Sequence, residues 1–165
     1  MAMPETVREH PIVEVLTTLT SQDVEDFQRL LPQLSSRQLP PPDVIEAKLL
    51  AACNPGNPDS RVVVIRDQGR IRASATGNIC RIPSGEKPWI DDVVTDEAYR
   101  GRGFGRQLME ALHEWFEERG VSSVNLTSNP HREAAGALYE AMGYRQLDTR
   151  VYRKDLGGIA VSGSM

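Results

Sequence analysis

Residues 91–108 read DDVVTDEAYRGRGFGRQL, and this stretch decides the fold. A β-branched run ends at Thr95. A short acidic turn follows, then Arg100-Gly101-Arg102-Gly103-Phe104-Gly105-Arg106. From Gln107 to Arg119 the spacing of Leu108, Leu112, Trp115 and Phe116 predicts an amphipathic helix. Glycines between a strand end and a helix start permit positive φ and let a ligand approach the backbone. The first turn of a helix leaves N–H groups free and carries partial positive charge, so it receives phosphate. Arg100, Arg102 and Arg106 add cationic donors, and a diphosphate is the natural fit. A P-loop would need a Lys-Ser/Thr pair after its glycines, which is absent. A dinucleotide fingerprint would place its third glycine where Arg106 stands. The plain alternative is a glycine-rich connector with solvated arginines.

Outward from this segment, the order of elements predicts one α/β domain over residues 11–156. Residues 11–20 (PIVEVLTTLT) read as a first strand. Ser21 and Asp23 offer caps for a helix through Val24, Phe27, Leu30, Leu31 and Leu34. After Pro40-Pro41-Pro42, Asp43 caps a second helix. Residues 61–66 (RVVVIR) and 71–80 form a hairpin about Gly69. A polar loop over residues 83–88 leads to a strand over 89–95. Beyond the long helix, residues 121–128 read as a strand. Asn129 and Pro130 open a last helix, and residues 146–155 supply one or two final strands. Residues 1–10 and 157–165 are expected to be flexible ends.

Composition narrows the function classes. The chain has 165 residues, with 39% hydrophobic and 25% charged residues and a net charge of −4, which fits an ordinary folded domain. A mildly acidic chain with 5% aromatic residues suits neither sequence-independent nucleic-acid binding nor base stacking. No apolar run is long enough for a signal peptide or a membrane span. Cys53 and Cys80 are expected as reduced, buried thiols in a cytoplasmic protein. His10, His113 and His131 share no metal-ligand spacing, so no metal is expected.

The segment Arg100-x-x-Gly103-x-Gly105 resembles the Q/R-x-x-G-x-G/A coenzyme A diphosphate loop of the GNAT N-acetyltransferases. Residues 89–95 (WIDDVVT) look like that family's central strand. Residues 129–144 (NPHREAAGALYEAMGY) are similar to its later segment, where an Ala, a Leu-Tyr pair and a Gly-aromatic pair recur. The resemblance implies a GNAT fold: a mixed, mostly antiparallel sheet splayed at its central strand pair, with helices on both faces. It implies direct transfer of the acetyl group of acetyl-CoA to a primary amine, without a covalent enzyme intermediate. Expected acceptors are a polyamine, an amino sugar, an amino acid or an antibiotic. A protein or peptide acetyltransferase and a non-catalytic acyl-CoA sensor are the competing readings. Homodimers are common in the family, although nothing in the sequence specifies an interface.

Site residues follow from the same resemblance. The central strand is expected to bulge at Val93 and Val94, where a backbone N–H could face an oxyanion. Cofactor contacts are expected from Val93, Val94, Thr95, Arg100, Gly101, Arg102, Gly103, Phe104, Gly105, Arg106, Asn129 and Arg132. Asn129 has a helix-capping role as its alternative. Arg132 stands where many members carry Asn, and an arginine there could reach the cofactor phosphates. Tyr139 matches the tyrosine that protonates the departing thiolate, with a core tyrosine as the alternative. Asp91 is expected as the general base, directly or through a water, and Asp92 as its helper. Each could instead be a solvated strand-end carboxylate or an ion-pair partner of Arg81 or Lys87. Trp89 would either wall the acceptor site or simply pack.

Overall fold

The computed structural model describes residues 11–34 and 39–157. The expectations for residues 1–10 and 158–165 lie outside them. Four strands form one antiparallel sheet in the order β1 (Val13–Val15), β2 (Ser60–Asp67), β3 (Arg70–Ile82) and β4 (Gly85–Thr95). Among the described residues four α-helices flank it: α1 (Ser21–Leu30), α2 (Pro42–Cys53), α3 (Phe104–Glu118) and α4 (Glu133–Ala141).

The unbroken apolar run of β2 has a structural reason. Val62 and Val64 pack with Phe27 and Leu30 of α1 and with Ile45 and Leu49 of α2. Val63 and Ile65 pack on the other face, with Leu108, Leu112 and Trp115 of α3. A strand covered on both sides needs apolar residues at both parities. The β2–β3 turn places Gln68 at φ 52° and Gly69 at φ 75°, the two positive values that a tight hairpin turn requires.

A polar network ties α1 to this hairpin. Thr20, not Ser21, caps the helix: its hydroxyl accepts the Asp23 N–H, and the Asp23 carboxylate accepts the Thr20 N–H. The fully buried Asp26 accepts the Ile71 N–H at 2.9 Å and Arg70 Nε at 2.7 Å. Asp23 accepts Arg66 Nη1 at 2.7 Å. Burial alone would raise the Asp23 pKa, but Arg66 and the Thr20 cap hold it below the ordinary value. The stability it contributes is therefore complete above the ordinary carboxylate range and is lost as pH falls through its lowered folded value.

Several elements differ from expectation. The polar loop shrinks to a turn at Pro83-Ser84, because β4 begins at Gly85 and its pairing with β3 outweighs the turn preference of its Gly and Pro. Helix α4 begins at Glu133 rather than at Pro130. Asn129 makes a local turn instead of a cap, its Oδ1 accepting the His131 N–H. Residues 121–128 pair only at Asn125, which bridges to Trp89 in parallel. Residues 146–155 form no strand, and Val151 and Tyr152 stand exposed. A strand needs a partner edge, and residues 121–128 offer almost none. Cys80 is exposed, whereas Cys53 is buried.

Replacing Asp26 by Ala removes the acceptor of a buried backbone N–H and of a guanidinium. The variant should lose about 2–3 kcal/mol of stability in urea unfolding, the cost of leaving such a group unpaired.

Candidate functional site

Strand β4 carries one residue more than its partner. Ser74 pairs with Val94 and Thr76 with Asp91, so Asp92 and Val93 together face Ala75. This bulge lies one residue earlier than the expected Val93–Val94 position. Asp92 takes φ 51° to accommodate the extra residue, a conformation that Asp tolerates better than β-branched residues.

The sheet parts at the same level. Ile90 N–H donates to Asn125 O at 2.9 Å, and Asn125 N–H donates to Pro88 O at 3.0 Å. No further ladder joins β4 to residues 121–128. Past this bridge, the β4 backbone at Asp91, Asp92 and Val93 has no ladder partner in residues 121–128. From the start of α4, Arg132 Nη2 reaches back to donate to Val93 O at 3.1 Å. Thus Arg132 is turned toward the bulge rather than toward the glycine turn.

The two carboxylates are in different surroundings. Asp91 Oδ2 accepts from Asn78 Nδ2 at 3.1 Å, on the face that carries α1 and α2. Asp92 is exposed to solvent, yet the protein around it partly desolvates its carboxylate. That desolvation, and then the neighbouring Asp91 charge, raises its pKa above the ordinary carboxylate value.

Tyr139 is buried in the α3–α4 core, the cluster against which Val93 also packs. Its hydroxyl makes no hydrogen bond among the described residues. Burial raises its pKa, and the charge of Arg132 opposes the rise. Its ring lies 5.8 Å from that of Tyr144. Tyr144 is hydrogen-bonded to His113 Nε2 at 2.6 Å, and burial pushes its phenol up to about 12. His113 is thus half-buried and partnered rather than solvated.

The turn before α3 is held from beneath. Asp96 closes the turn by accepting the Ala98 N–H, and it pairs with Arg29 and Arg72. Burial alone would raise its pKa, but the Ala98 N–H and the two guanidiniums hold it below the ordinary value. The Tyr99 hydroxyl donates to Asp67 at 2.7 Å, while Arg72 and Arg102 stand over its ring at 4.7 and 4.5 Å.

The upper side of the turn is open. Gly101 and Gly103 have φ 77° and 81°, and a Cβ at either would meet nothing within 4 Å. Gly103 is the N-cap of α3, and no side chain caps the helix. Its first N–H groups are therefore left to an outside acceptor. Phe104 is buried in the core and offers only its backbone here. Gly105 lies against α4, where a Cβ would come 3.1 Å from Leu138 Cδ2. Arg100 donates to Thr95 O at 3.2 Å, and Arg106 lies 3.9 Å from Glu110.

Of the expected residues, the structure brings together Asp92, Val93 and Arg132 at the bulge, with Tyr139 within reach of the Arg132 charge in the core cluster against which Val93 packs. It sets Arg100, Gly101, Arg102, Gly103 and Arg106 around the helix start. Asn129 lies in the turn ahead of α4. Asn78, the partner of Asp91, was not foreseen; it is one of several polar residues of β3, and no local pattern singles it out.

Comparison with known proteins agrees with this geometry. The sequence model described as the acetyltransferase (GNAT) family matches residues 24–144. An uncharacterized N-acetyltransferase of Bacillus subtilis is 32% identical over 74 residues, 44% of this chain and 51% of that protein. A [ribosomal protein bS18]-alanine N-acetyltransferase of Escherichia coli is 36% identical over 59 residues, 36% of this chain and 40% of that protein. The match thus spans about half, or less, of the length of these two relatives. A crystal structure of an acetyltransferase of Trypanosoma brucei is 27% identical with a TM-score of 0.69, over 89% of this chain and all of that one.

Gly103→Ala meets no clash, so its cost is purely conformational. Stability should fall by about 1–2 kcal/mol in urea unfolding, the penalty for an L-residue in the left-handed region.

Proposed function

The chain belongs to the GNAT acetyltransferase family, and on that premise we propose that it transfers the acetyl group of acetyl-CoA to the primary amine of a small molecule. The observation that carries this reading is a bulged strand beside a parted neighbour, one short turn from an uncapped, arginine-flanked helix start. The residues present fit the cosubstrate. Free N–H groups at Gly103, Phe104, Gly105 and Arg106, with Arg100 and Arg102 beside them, would hold its diphosphate. When bound, acetyl-CoA supplies the activated acyl group.

The roles of the chain's own groups follow from their surroundings. The acceptor amine must be neutral to attack, so a base has to remove its proton. Asp92 is the better poised of the two carboxylates, because its raised pKa makes it a stronger base than a solvated Asp. Asp91 acts on it as a neighbouring negative charge. This reverses the roles expected from sequence. Tyr139 keeps its proton through neutral pH and can donate it to a leaving thiolate. Backbone N–H groups at Val93 and Val94 would face developing negative charge. Arg132 binds the bulge carbonyl and steadies this backbone.

A recess of about 420 Å³ between α2 and β3 is lined by Lys48, Asp59, Asn78 and Cys80, and Asn78 connects it to Asp91. Its size suits a small acceptor. A second reading, transfer to a peptide α-amine, is favoured by the name of the E. coli relative, which acts on an alanine of a ribosomal protein. The other features proposed here are a cytoplasmic location and a homodimer.

An acceptor screen that follows free thiol from acetyl-CoA tests the proposal. Small amines should support release more efficiently than peptides, and release with peptides alone would favour the second reading. Binding of coenzyme A with no release on any acceptor would overturn both. In the best pair, Asp92→Asn and Tyr139→Phe should each lower kcat about 100-fold or more, with affinity for coenzyme A little changed.

The pH profile separates the carboxylates. Activity should rise with pH as Asp92 ionises. Asp91→Asn removes a charge that raises the Asp92 pKa, so it should move the acidic limb of kcat/KM to lower pH. An unmoved limb would deny Asp92 the role of base.

A further inference from the structure

A second recess, of about 240 Å³, lies at the opposite end of α3 from Gly103, where β1, α2 and β2 also end. Fifteen helical residues place the two ends about 22 Å apart. Arg61 and Arg119 are the only charged residues among the described ones that line this recess. That is notable in a chain of net charge −4. Both guanidiniums stand over the Trp115 indole, at 5.4 and 5.0 Å from the ring. Neither makes an ion pair among the described residues. Glu118 and Asp59 are the nearby negative groups, and Asp59 is bound by Arg81 at 2.8 Å.

Trp115 is fixed in place. It is 2% exposed, and it packs on Gly77, where a Cβ would lie 2.8 Å from its Cζ3. Its Nε1–H has no acceptor among the described residues, an uncommon state for a buried indole. Burial, and then the like charge of Arg119, holds the Arg61 pKa below its ordinary value, with Glu118 opposing. Two guanidiniums without a carboxylate partner among the described residues give this recess an excess of cationic donors. Stacking on the indole leaves the planar edges of the guanidiniums free to donate.

We propose that the recess bounded by Arg61, Trp115 and Arg119 binds a phosphate-type oxyanion, separately from the site at the start of α3. The guanidiniums supply paired donors to the oxyanion and offset its charge, as in other arginine–phosphate contacts. The ligand is either free phosphate or the phosphate of a small phosphomonoester.

Trp115 is itself the reporter. In a Trp89→Phe background it is the sole tryptophan. Its emission is followed as inorganic phosphate, and separately glucose 6-phosphate, is added at constant ionic strength. A saturable change should be complete by about 10 mM. Arg61→Gln and the exposed Arg119→Gln should each weaken it about tenfold or more, with unchanged circular dichroism. Tighter binding of the sugar phosphate assigns the site to a phosphomonoester, and tighter inorganic phosphate assigns it to the free ion. A response that does not saturate, that chloride reproduces, or that survives both arginine substitutions overturns the proposal.

Discussion

One surplus residue in β4 governs the rest of this molecule. Every other β4 residue from Gly85 to Thr95 can keep its register with β3 only if Asp92 and Val93 share a single partner. The backbone meets that demand by sending Asp92 to positive φ and turning the Val93 carbonyl toward Arg132. Peptide groups that would have joined β4 to residues 121–128 are left without a ladder. A bulge of this kind raises local twist, and residues 121–128 join β4 only at the Trp89–Asn125 bridge. Asp92 stands at the extra position, and there partial desolvation and the charge of Asp91 raise its pKa.

The glycine turn depends on support from behind. Arg29 of α1 reaches Asp96 at the end of β4, and Asp96 also draws in Arg72 and the Ala98 N–H. Tyr99 is anchored to Asp67 and lies beneath Arg72 and Arg102. Partly buried ion pairs of this sort add little net stability, since desolvation offsets much of their attraction. They fix geometry instead: the turn is immobilised on its inner side, while Gly101 and Gly103 leave its outer side clear. Helix α3 then connects two polar environments, an open N-terminus with free N–H groups and a C-terminal end crowned by Arg61 and Arg119.

Local patterns made much of this readable from the amino acids alone. The apolar run of β2, the Gly69 hairpin, the stripe Leu108–Leu112–Trp115–Phe116 and the Arg100–Arg106 turn each carry a short-range signal, and each forms near its expected place. The elements that failed need distant partners. A strand over residues 146–155 depends on a neighbouring edge, and residues 121–128 supply one bridge. Likewise, the turn at Asn129 competes with helix initiation at Pro130, and its outcome depends on how α4 seats against the core.

Sequence determined the two-faced sheet, the amphipathic α3 and the glycine-rich turn before it, because side-chain periodicity and glycine conformation act over a few residues. It could also nominate Asp91, Asp92, Arg132 and Tyr139 as a group. Tertiary structure decided what each one touches. Register with β3 placed the bulge at Asp92, Asn78 engaged Asp91, and the approach of α4 turned Arg132 onto Val93 O. Those outcomes depend on backbone spacing between segments tens of residues apart, which no pattern within a single segment can encode.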